Sequence, residues 1–230
     1  MSSDDSGHRP IKILCVSDHV DPLVYSPRAG ERFRDVDLVI SAGDLSMKYL
    51  GFVSSMLNKP VVFVFGNHNL EDMHLFRKTR TPRLENEFPV FGRDHRYGAT
   101  YAADRVVHVN GLIIVGLGGS MRYNDGENQY TEFQMVLRVL RLAPRLIFNR
   151  IFRGRYLDIL LTHAAPRGIH DRTDRCHLGF KTFRWFMRTF RPRYLLHGHI
   201  HLYDQREPRV TRYFATDVIN VYDHYLLEYE

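Results

Sequence analysis

The chain has 230 residues, of which 44% are hydrophobic, so it is long enough to bury the core of one large domain. Thirty-two Lys and Arg against 26 Asp and Glu give a formal charge of +6, which suits an anionic substrate or nucleic acid and by itself selects neither. Two cysteines are too few for a disulfide framework, and no run approaches the ~20 apolar residues of a membrane-spanning helix, so we expect a cytoplasmic protein without a membrane partner.

The chain begins with a polar stretch and continues with short apolar runs. Residues 1–10 are predicted to form a disordered tail rather than a secretory signal, which leaves residues 11–230 as a single domain. The apolar runs lack clean alternation, which is typical of strands that are covered on both faces. These predicted strands are Ile11–Ser17, Asp37–Ala42, Pro60–Phe65, Gly111–Leu117, Tyr156–Thr162 and Arg193–Leu196.

Turn signals predict additional strands. Asn110-Gly111 lies between two apolar runs, as in a type I′ hairpin. Residues 210–230 carry the pattern of strands joined by tight turns.

Three segments between the strands carry apolar residues at helical spacing. SMKYLGFVSSMLNKP predicts a helix that ends before Pro60. The buried faces predicted for the other two are Phe133, Val136, Leu137 and Leu140 in YTEFQMVLRVLRLAP, with Arg138 and Arg141 turned away, and Phe183, Phe186, Met187 and Phe190 in FKTFRWFMRTFRP. Strands alternating with helices, followed by hairpins, predict an α/β fold with mixed sheet layers between helices.

Five of the predicted strands are each followed by side chains that bind metals. These residues are Asp18, Asp44, Asn67 with His68, His163, and His199 with His201. In open α/β sheets the binding crevice lies outside the carboxyl ends of the strands. Asp, Asn and His together suit Mn²⁺, Fe²⁺ or Zn²⁺. Even six of these seven side chains would be too many ligands for one catalytic ion with an open position, and six suit two ions that share a carboxylate.

Taken together, these motifs resemble the calcineurin-like metallophosphoesterase superfamily. They are Ser17-Asp18-His19-Val20, Gly43-Asp44, Gly66-Asn67-His68-Asn69, Thr162-His163 and Gly198-His199-Ile200-His201. The resemblance implies a four-layer α/β/β/α sandwich of two mixed sheets flanked by helices. It also implies a dinuclear centre, at which a metal-bridging hydroxide attacks phosphorus in line.

The resemblance assigns a role to each motif. The implied metal ligands are Asp44 as the bridge, Asn67, His163 and His199 at one position, and Asp18 and His201 at the other. His68 would face the scissile phosphate as a general acid or as a partner of the transition state. We expect two divalent ions, with Mn²⁺ favoured and Fe²⁺, Zn²⁺ and Mg²⁺ as alternatives.

Two positions depart from the pattern of the superfamily. Val20 stands where a second histidine would bind metal, so His19 or Asp21 is a candidate surrogate ligand. Asn69 stands where an acidic residue commonly follows His68, and an amide can orient that histidine without raising its basicity.

Two further residues are candidate substrate ligands. Arg122 follows a Gly-Gly-Ser segment whose backbone could hold a phosphate. The resemblance to family members with a His-x-Gly before the last helix implies that His177 approaches the substrate, and a polar surface loop with a helix start is the alternative interpretation.

The predicted function is therefore a dinuclear-metal phosphoesterase acting on a phosphodiester or phosphomonoester of a small phosphorylated substrate. The alternative is a catalytically weakened protein of the same fold that acts as a binding or scaffold module, an interpretation supported by Val20. Nucleic acid as a partner is a third hypothesis, which rests only on the positive charge.

Overall fold

The computed structural model describes residues 9–76, 95–204 and 206–230. Most of the predicted tail (residues 1–8) lies outside them, and Arg9 pairs with Asp37 at 2.6 Å. The helices are α1 (Ala29–Arg32), α2 (Met47–Leu57), α3 (Glu132–Arg153) and α4 (Lys181–Phe190), with a 3₁₀ turn at Met73–Leu75. The strands are β1 (Ile11–Ser17), β2 (Leu38–Ser41), β3 (Val61–Phe63), β4 (His95–Arg96), β5 (Ala99–Tyr101), β6 (Arg105–Val109), β7 (Leu112–Leu117), β8 (Ser120–Met121), β9 (Gln129–Tyr130), β10 (Ile159–Thr162), β11 (Tyr194–His197), β12 (Val210–Tyr213), β13 (Thr216–Asn220) and β14 (Asp223–Tyr229).

The described residues form two six-stranded mixed sheets. The first has the order β14-β1-β2-β3-β5-β4, and the second has the order β12-β13-β11-β10-β7-β6. In each sheet the four inner strands are parallel and both edge strands are antiparallel to their neighbours. β8 and β9 form a separate parallel pair.

The alternation of side chains along the second sheet divides the core in two. Leu112 and Ile114 of β7 pack into the cluster that contains the first sheet and α2. Ile113 and Val115 of the same strand pack with α3 and α4 instead. The layers therefore run helix, sheet, sheet, helix, and the predicted α/β/β/α sandwich is confirmed.

Local signals set the ends of the long helices. Ser46 caps α2 by accepting a hydrogen bond from the Tyr49 N–H at 3.2 Å. Thr131 and Gln134 form a reciprocal capping box at the start of α3. Gly154 follows α3 with φ of 73°, the left-handed conformation that favours glycine at this position.

The predicted turns and C-terminal strands are present. Asn110 and Gly111 have φ of 48° and 78°, as a type I′ turn requires, and they join antiparallel β6 and β7. β12 and β13 form a hairpin, after which β14 crosses to the first sheet and pairs with β1.

The prediction for the buried face of α3 is wrong. The residues that α3 buries are Met135, Arg138, Val139, Leu142, Leu146 and Asn149. Phe133 is 70% exposed and Leu140 is 50% exposed. The reason is that Arg138 pairs inward, where its Nε lies 2.7 Å from Asp104 and its guanidinium covers the Tyr130 ring. For α4 the predicted stripe is buried, as expected.

The longest helix, α3, has 22 residues and carries several arginines. Among the described residues, no helix is long and apolar enough to cross a membrane.

Candidate metal centre

The candidate metal-binding side chains follow parallel strands in both sheets. Asp18, Asp44 and Asn67 come after β1, β2 and β3, which are neighbours in the first sheet. His163 and His199 come after β10 and β11, which are neighbours in the second sheet. All five side chains therefore approach from the carboxyl ends of strands, where a crevice forms.

The backbone at this edge turns sharply. Asp18, Asp44 and His199 have φ of 66°, 56° and 66°, in the left-handed region that is uncommon for residues other than glycine. Such conformations concentrate at functional sites, where the surrounding structure holds them in place.

Three donor groups converge on the ring of His163, which is itself the fourth donor. Its Nε2 lies 3.1 Å from Asn67 Oδ1, 3.1 Å from His199 Nδ1 and 3.4 Å from Asp44 Oδ2. Asp44, His163 and His199 are all buried, and their ligand atoms lie within 4.8 Å of one another. Within the described residues, this is the one group of three or more His, Cys, Asp or Glu with that geometry.

The far side of each imidazole is held by a backbone carbonyl. His163 Nδ1 donates to the carbonyl of Ala42 at 2.8 Å, and His199 Nε2 donates to the carbonyl of Cys176 at 2.7 Å. These contacts leave Nε2 of His163 and Nδ1 of His199 facing each other. Carbonyl acceptors behind the ring are the usual way in which a metal-binding histidine is oriented.

The donor set fits a divalent metal ion. A carboxylate oxygen, an amide oxygen and two ring nitrogens turned toward one point require a cation there, either a proton on His163 or a metal. Ligand atoms about 2.1 Å from a common ion stand roughly 3.0–3.4 Å apart in octahedral or tetrahedral geometry. The distances of 3.1, 3.1 and 3.4 Å around His163 Nε2 match that spacing.

Glycine at position 66 makes this convergence possible. A Cβ atom on Gly66 would lie 2.6 Å from His163 Nε2 and closer still to the Asp44 carboxylate. Any side chain at position 66 would therefore collide with two of the four donors.

The charges in the cluster are strongly coupled. Burial opposes ionisation of Asp44, but the His163 imidazolium and the His68 N–H hold the pKa of that carboxyl well below its usual range. Burial disfavours the charged form of His163, yet Asp44 outweighs burial and raises its pKa to about 9. Burial together with the charge on His163 lowers the pKa of His199 to about 3. With Asp44 ionised and His199 neutral, one positive charge at the centre is therefore enough to compensate the carboxylate.

The second predicted metal position is less completely assembled. Both carboxylate oxygens of Asp18 accept a hydrogen bond from the backbone N–H of His199, at 3.0 and 2.9 Å. Burial raises the pKa of Asp18, and the nearby Asp44 charge raises it as well, although His163 opposes both effects. Nδ1 of His201 lies 2.7 Å from the Tyr203 hydroxyl, and its ring packs on Tyr222.

The residues around Val20 are engaged elsewhere. The Val20 side chain is 42% exposed. His19 Nδ1 lies 2.7 Å from Asp223 Oδ1. Asp21 accepts the Leu23 N–H at 2.7 Å and pairs through its other oxygen with His224. The two candidate surrogate ligands, His19 and Asp21, therefore contact β14 residues.

His68 occupies a different kind of position from the buried ligands. Its backbone N–H donates to Asp44 Oδ1 at 2.8 Å, while the residue itself is exposed. Its imidazole is accessible to a substrate beside the metal ligands. Asn69 donates from its side chain to the Asp44 carbonyl at 2.8 Å, so it braces the loop.

The two candidate substrate ligands, His177 and Arg122, have different neighbours. The His177 ring is 5.3 Å from the His199 ring, and its Nδ1 lies 2.8 Å from Asp174. Arg122 is exposed, and its N–H donates to the Tyr130 carbonyl. Before Arg122, the N–H groups of Gly119 and Ser120 donate to the carbonyls of Phe65 and Asn128, so these two groups already have partners.

Two residues at the site were missed in the sequence. The Tyr123 hydroxyl accepts a hydrogen bond from the Asn67 side-chain amide at 3.2 Å. The side chain of Asn128 donates to the carbonyls of Phe65 and Gly66, at 3.1 and 2.5 Å. Both come from the loop between β8 and β9, and only its polar composition, YNDGENQY, distinguishes it in the sequence.

His197, which is the one histidine of His197-Gly198-His199-Ile200-His201 without a predicted ligand role, belongs to a chain of hydrogen bonds. His197 Nε2 lies 2.9 Å from His170 Nδ1, and His170 Nε2 lies 2.8 Å from the Thr211 hydroxyl. His197 Nδ1 donates to the Gly198 carbonyl at 2.9 Å. This chain supports the backbone that carries His199.

Comparisons with known proteins agree with the geometry. The family model described as calcineurin-like phosphoesterase matches residues 11–203. The crystal structure of TT1561 from Thermus thermophilus is similar, with a TM-score of 0.62, 14% identity, and coverage of 95% of this chain and 94% of that one. A second crystal structure has a TM-score of 0.61 and 12% identity, covering 96% of this chain and all (100%) of the other. At such identities the likeness shows the fold alone. No curated protein matches the sequence.

Proposed function

The chain belongs to the calcineurin-like phosphoesterase family, and from that premise we propose that it is a metal-dependent hydrolase of phosphodiesters or phosphomonoesters. The observation that carries this proposal is the convergence of Asp44, Asn67, His163 and His199 from two sheets onto one point. A cluster with only a structural role would gain little from burying one carboxylate and two imidazoles against one another.

These four residues would hold one divalent ion, with Mn²⁺ as the expected metal and Fe²⁺, Zn²⁺ or Mg²⁺ as alternatives. Bound there, a divalent ion polarises a phosphoryl oxygen and lowers the pKa of water. A second ion would use Asp18 and His201 and share Asp44. We propose that this second position binds more weakly, since Val20 supplies no donor and His19 and Asp21 contact β14 residues.

The chain's own residues supply the remaining chemistry. The exposed His68 imidazole would donate a proton to the leaving oxygen of the phosphoester. Tyr123 would hold Asn67 and offer its hydroxyl proton to a phosphoryl oxygen. His177, oriented by Asp174, would bind another phosphoryl oxygen.

The test is a panel of phosphomonoesters and phosphodiesters with nitrophenol and with aliphatic alcohols as leaving groups, assayed after chelation and again after Mn²⁺ is restored. We expect activity only with the metal. His68→Ala should lower turnover about 10²–10⁴-fold on substrates with poor leaving groups, with metal content unchanged. His74→Ala is the matched control, because His74 is also exposed and lies on the 3₁₀ turn after this loop. Metal-bound protein that hydrolyses none of these substrates would contradict the proposal.

The alternative is a scaffold of the same fold without turnover. Val20 and the pairing of Asp21 with His224 favour it, because they leave the second metal position short of ligands. A chain that binds no divalent ion, measured by plasma mass spectrometry after Mn²⁺ loading and gel filtration, would support the scaffold.

A further inference from the structure

The outward side of α3 is apolar, although a surface helix ordinarily presents polar residues to water. The opposite side of the helix is already buried against the second sheet. The exposed side carries six large apolar residues, each between 50% and 70% exposed: Phe133, Leu140, Ile147, Phe148, Ile151 and Phe152. Spacings of seven and four residues align Phe133, Leu140, Ile147 and Ile151 along one stripe. We call these six residues the α3 outer face.

Arginines border the α3 outer face without any acidic neighbour in sequence. Between Glu132 and Asp158 there is no Asp or Glu, and six arginines occur at positions 138, 141, 145, 150, 153 and 155. Arg138 is buried against Asp104 and Arg155 pairs with Asp158, so neither belongs to the exposed border. Arg141 and Arg145 are exposed and lie beside Phe148 and Phe152 of this face, seven residues before each of them. Glu132 itself is engaged, because its carboxylate accepts the N–H of Thr182 at the start of α4.

The neighbouring helix, α4, also exposes basic residues together with a large apolar one. α4 packs against α3 in the helical layer, and the sequence from Arg175 to Tyr203 contains no acidic residue. Lys181, Arg184 and Arg188 are exposed on α4. Trp185, the one tryptophan of the chain, is 41% exposed on the same outward side. This layer is therefore positively charged and apolar together.

We propose that the α3 outer face docks on an anionic lipid surface. A helix that binds at a membrane interface lies parallel to the membrane and carries apolar side chains bordered by basic ones. Its apolar face enters the boundary between headgroups and acyl chains. Arginines at the border contact lipid phosphates, and the absence of carboxylates removes repulsion from a negative surface.

Charge argues against the other occupants. A second copy packed on the same face would place its arginines against these arginines, at a cost from like-charge repulsion. Nucleic acid would use the arginines but would leave an aliphatic stripe of leucine and isoleucine without a role.

The test uses the full chain with vesicles of phosphatidylcholine alone or mixed with phosphatidylserine. We expect the protein to sediment with the mixed vesicles, to be released as salt increases, and to stay in solution with the neutral ones. Trp185 emission should shift to shorter wavelength on the mixed vesicles, because its indole moves to a less polar environment.

Two double variants separate the apolar from the charged contribution. Phe148→Gln with Phe152→Gln should abolish binding, and Arg141→Gln with Arg145→Gln should weaken it about 30-fold. Leu226→Gln and Arg34→Gln are the matched controls, since both residues are exposed on the first-sheet side of the molecule. All variants should retain the wild-type circular dichroism spectrum.

Three outcomes would overturn the proposal. The first is equal binding to neutral and anionic vesicles. The second is no vesicle binding together with a dimer in sedimentation velocity that the phenylalanine variant dissociates. The third is no vesicle binding together with retention of a DNA or RNA oligonucleotide that the arginine variant loses.

Discussion

Gly66 precedes the ligand Asn67 and sets how closely the two sheets' donors can approach each other. Its Cα lies beneath the point where the Asp44 carboxylate and the His163 ring meet, and an added Cβ would lie 2.6 Å from His163 Nε2. Position 66 requires glycine because any side chain there would occupy the space of the ligands. At Gly111 the need is different, because φ is 78° and no atom lies within 4 Å of an added Cβ.

Substitution of these two glycines should therefore have opposite signatures. Gly66→Ala should weaken Mn²⁺ binding about 10–100-fold, the scale of damage to groups that orient ligands. Gly111→Ala should leave Mn²⁺ binding unchanged and lower the free energy of unfolding by about 1–2 kcal/mol, the cost of a left-handed alanine. Isothermal titration with Mn²⁺ and urea denaturation measure the two effects. Unchanged Mn²⁺ affinity in Gly66→Ala would show that the ligands can assemble in another way.

His170 is a second residue with a defined consequence, here for pH. Burial lowers the pKa of His170 to about 4, whereas an unfolded histidine titrates near 6.5. Between pH 6.5 and 4 the unfolded chain binds the proton and the folded chain does not. Stability is therefore complete above pH 6.5 and is lost as the pH falls toward 4.

His170→Asn removes this titration and keeps a side-chain donor toward His197 Nε2. The free energy of unfolding of the variant, measured in urea with chelator present, should fall less steeply between pH 7 and pH 5 than that of the wild type. Part of the slope will remain, because burial also lowers the pKa of His197, to about 3. Parallel slopes for both proteins would contradict the assignment.

At the scale of elements, α3 shows the limit of sequence periodicity. Its apolar residues surround the helix, so spacing alone allows more than one buried face, and the predicted face with Phe133 and Leu140 is exposed instead. The true face is set by Arg138, whose guanidinium donates to Asp104 and to the Gly118 carbonyl. Those partners lie 34 and 20 residues away in the chain, and helical periodicity carries no information about them.

Arg138 should matter for stability, whereas its exposed neighbour should not. Arg138→Leu leaves the Gly118 carbonyl without its buried donor, and we expect a loss of about 1–3 kcal/mol in the free energy of unfolding. Arg141→Leu, on the exposed side, should change it by no more than about 0.5 kcal/mol. Urea denaturation measures both. Equal losses for the two variants would show that Arg138 contributes only as a surface arginine.

At the scale of the whole molecule, strand ends were the most predictable part of the site. Asp44, Asn67, His163 and His199 each follow an apolar run, and the parallel pairing of inner strands brings those ends together. The supporting residues were not predictable in this way. Tyr123 and Asn128 reach the site from a loop whose path depends on packing against Phe65 and Gly66, which no local pattern encodes.

The centre also joins the two sheets, since Asp44 and Asn67 follow strands of the first sheet while His163 and His199 follow strands of the second. A metal that binds the folded chain alone therefore stabilises the packing of one sheet on the other. At Mn²⁺ concentrations about 100 times the dissociation constant, the gain is about 2.7 kcal/mol. In a domain of this size that raises Tm by roughly 5–11 °C.

The Tm shift distinguishes the two metal positions. In thermal unfolding, addition of Mn²⁺ to chelator-treated protein should raise Tm, and EDTA should reverse the increase. His163→Ala should abolish the shift, because it removes the ring at which the other three donors meet. His201→Ala should retain most of it, because Nδ1 of His201 is engaged with Tyr203 and the Asp18 position has few other donors. If His201→Ala lost the shift as completely as His163→Ala, the two positions would have to bind metal as a unit, and the weaker second position inferred from Val20 would be wrong.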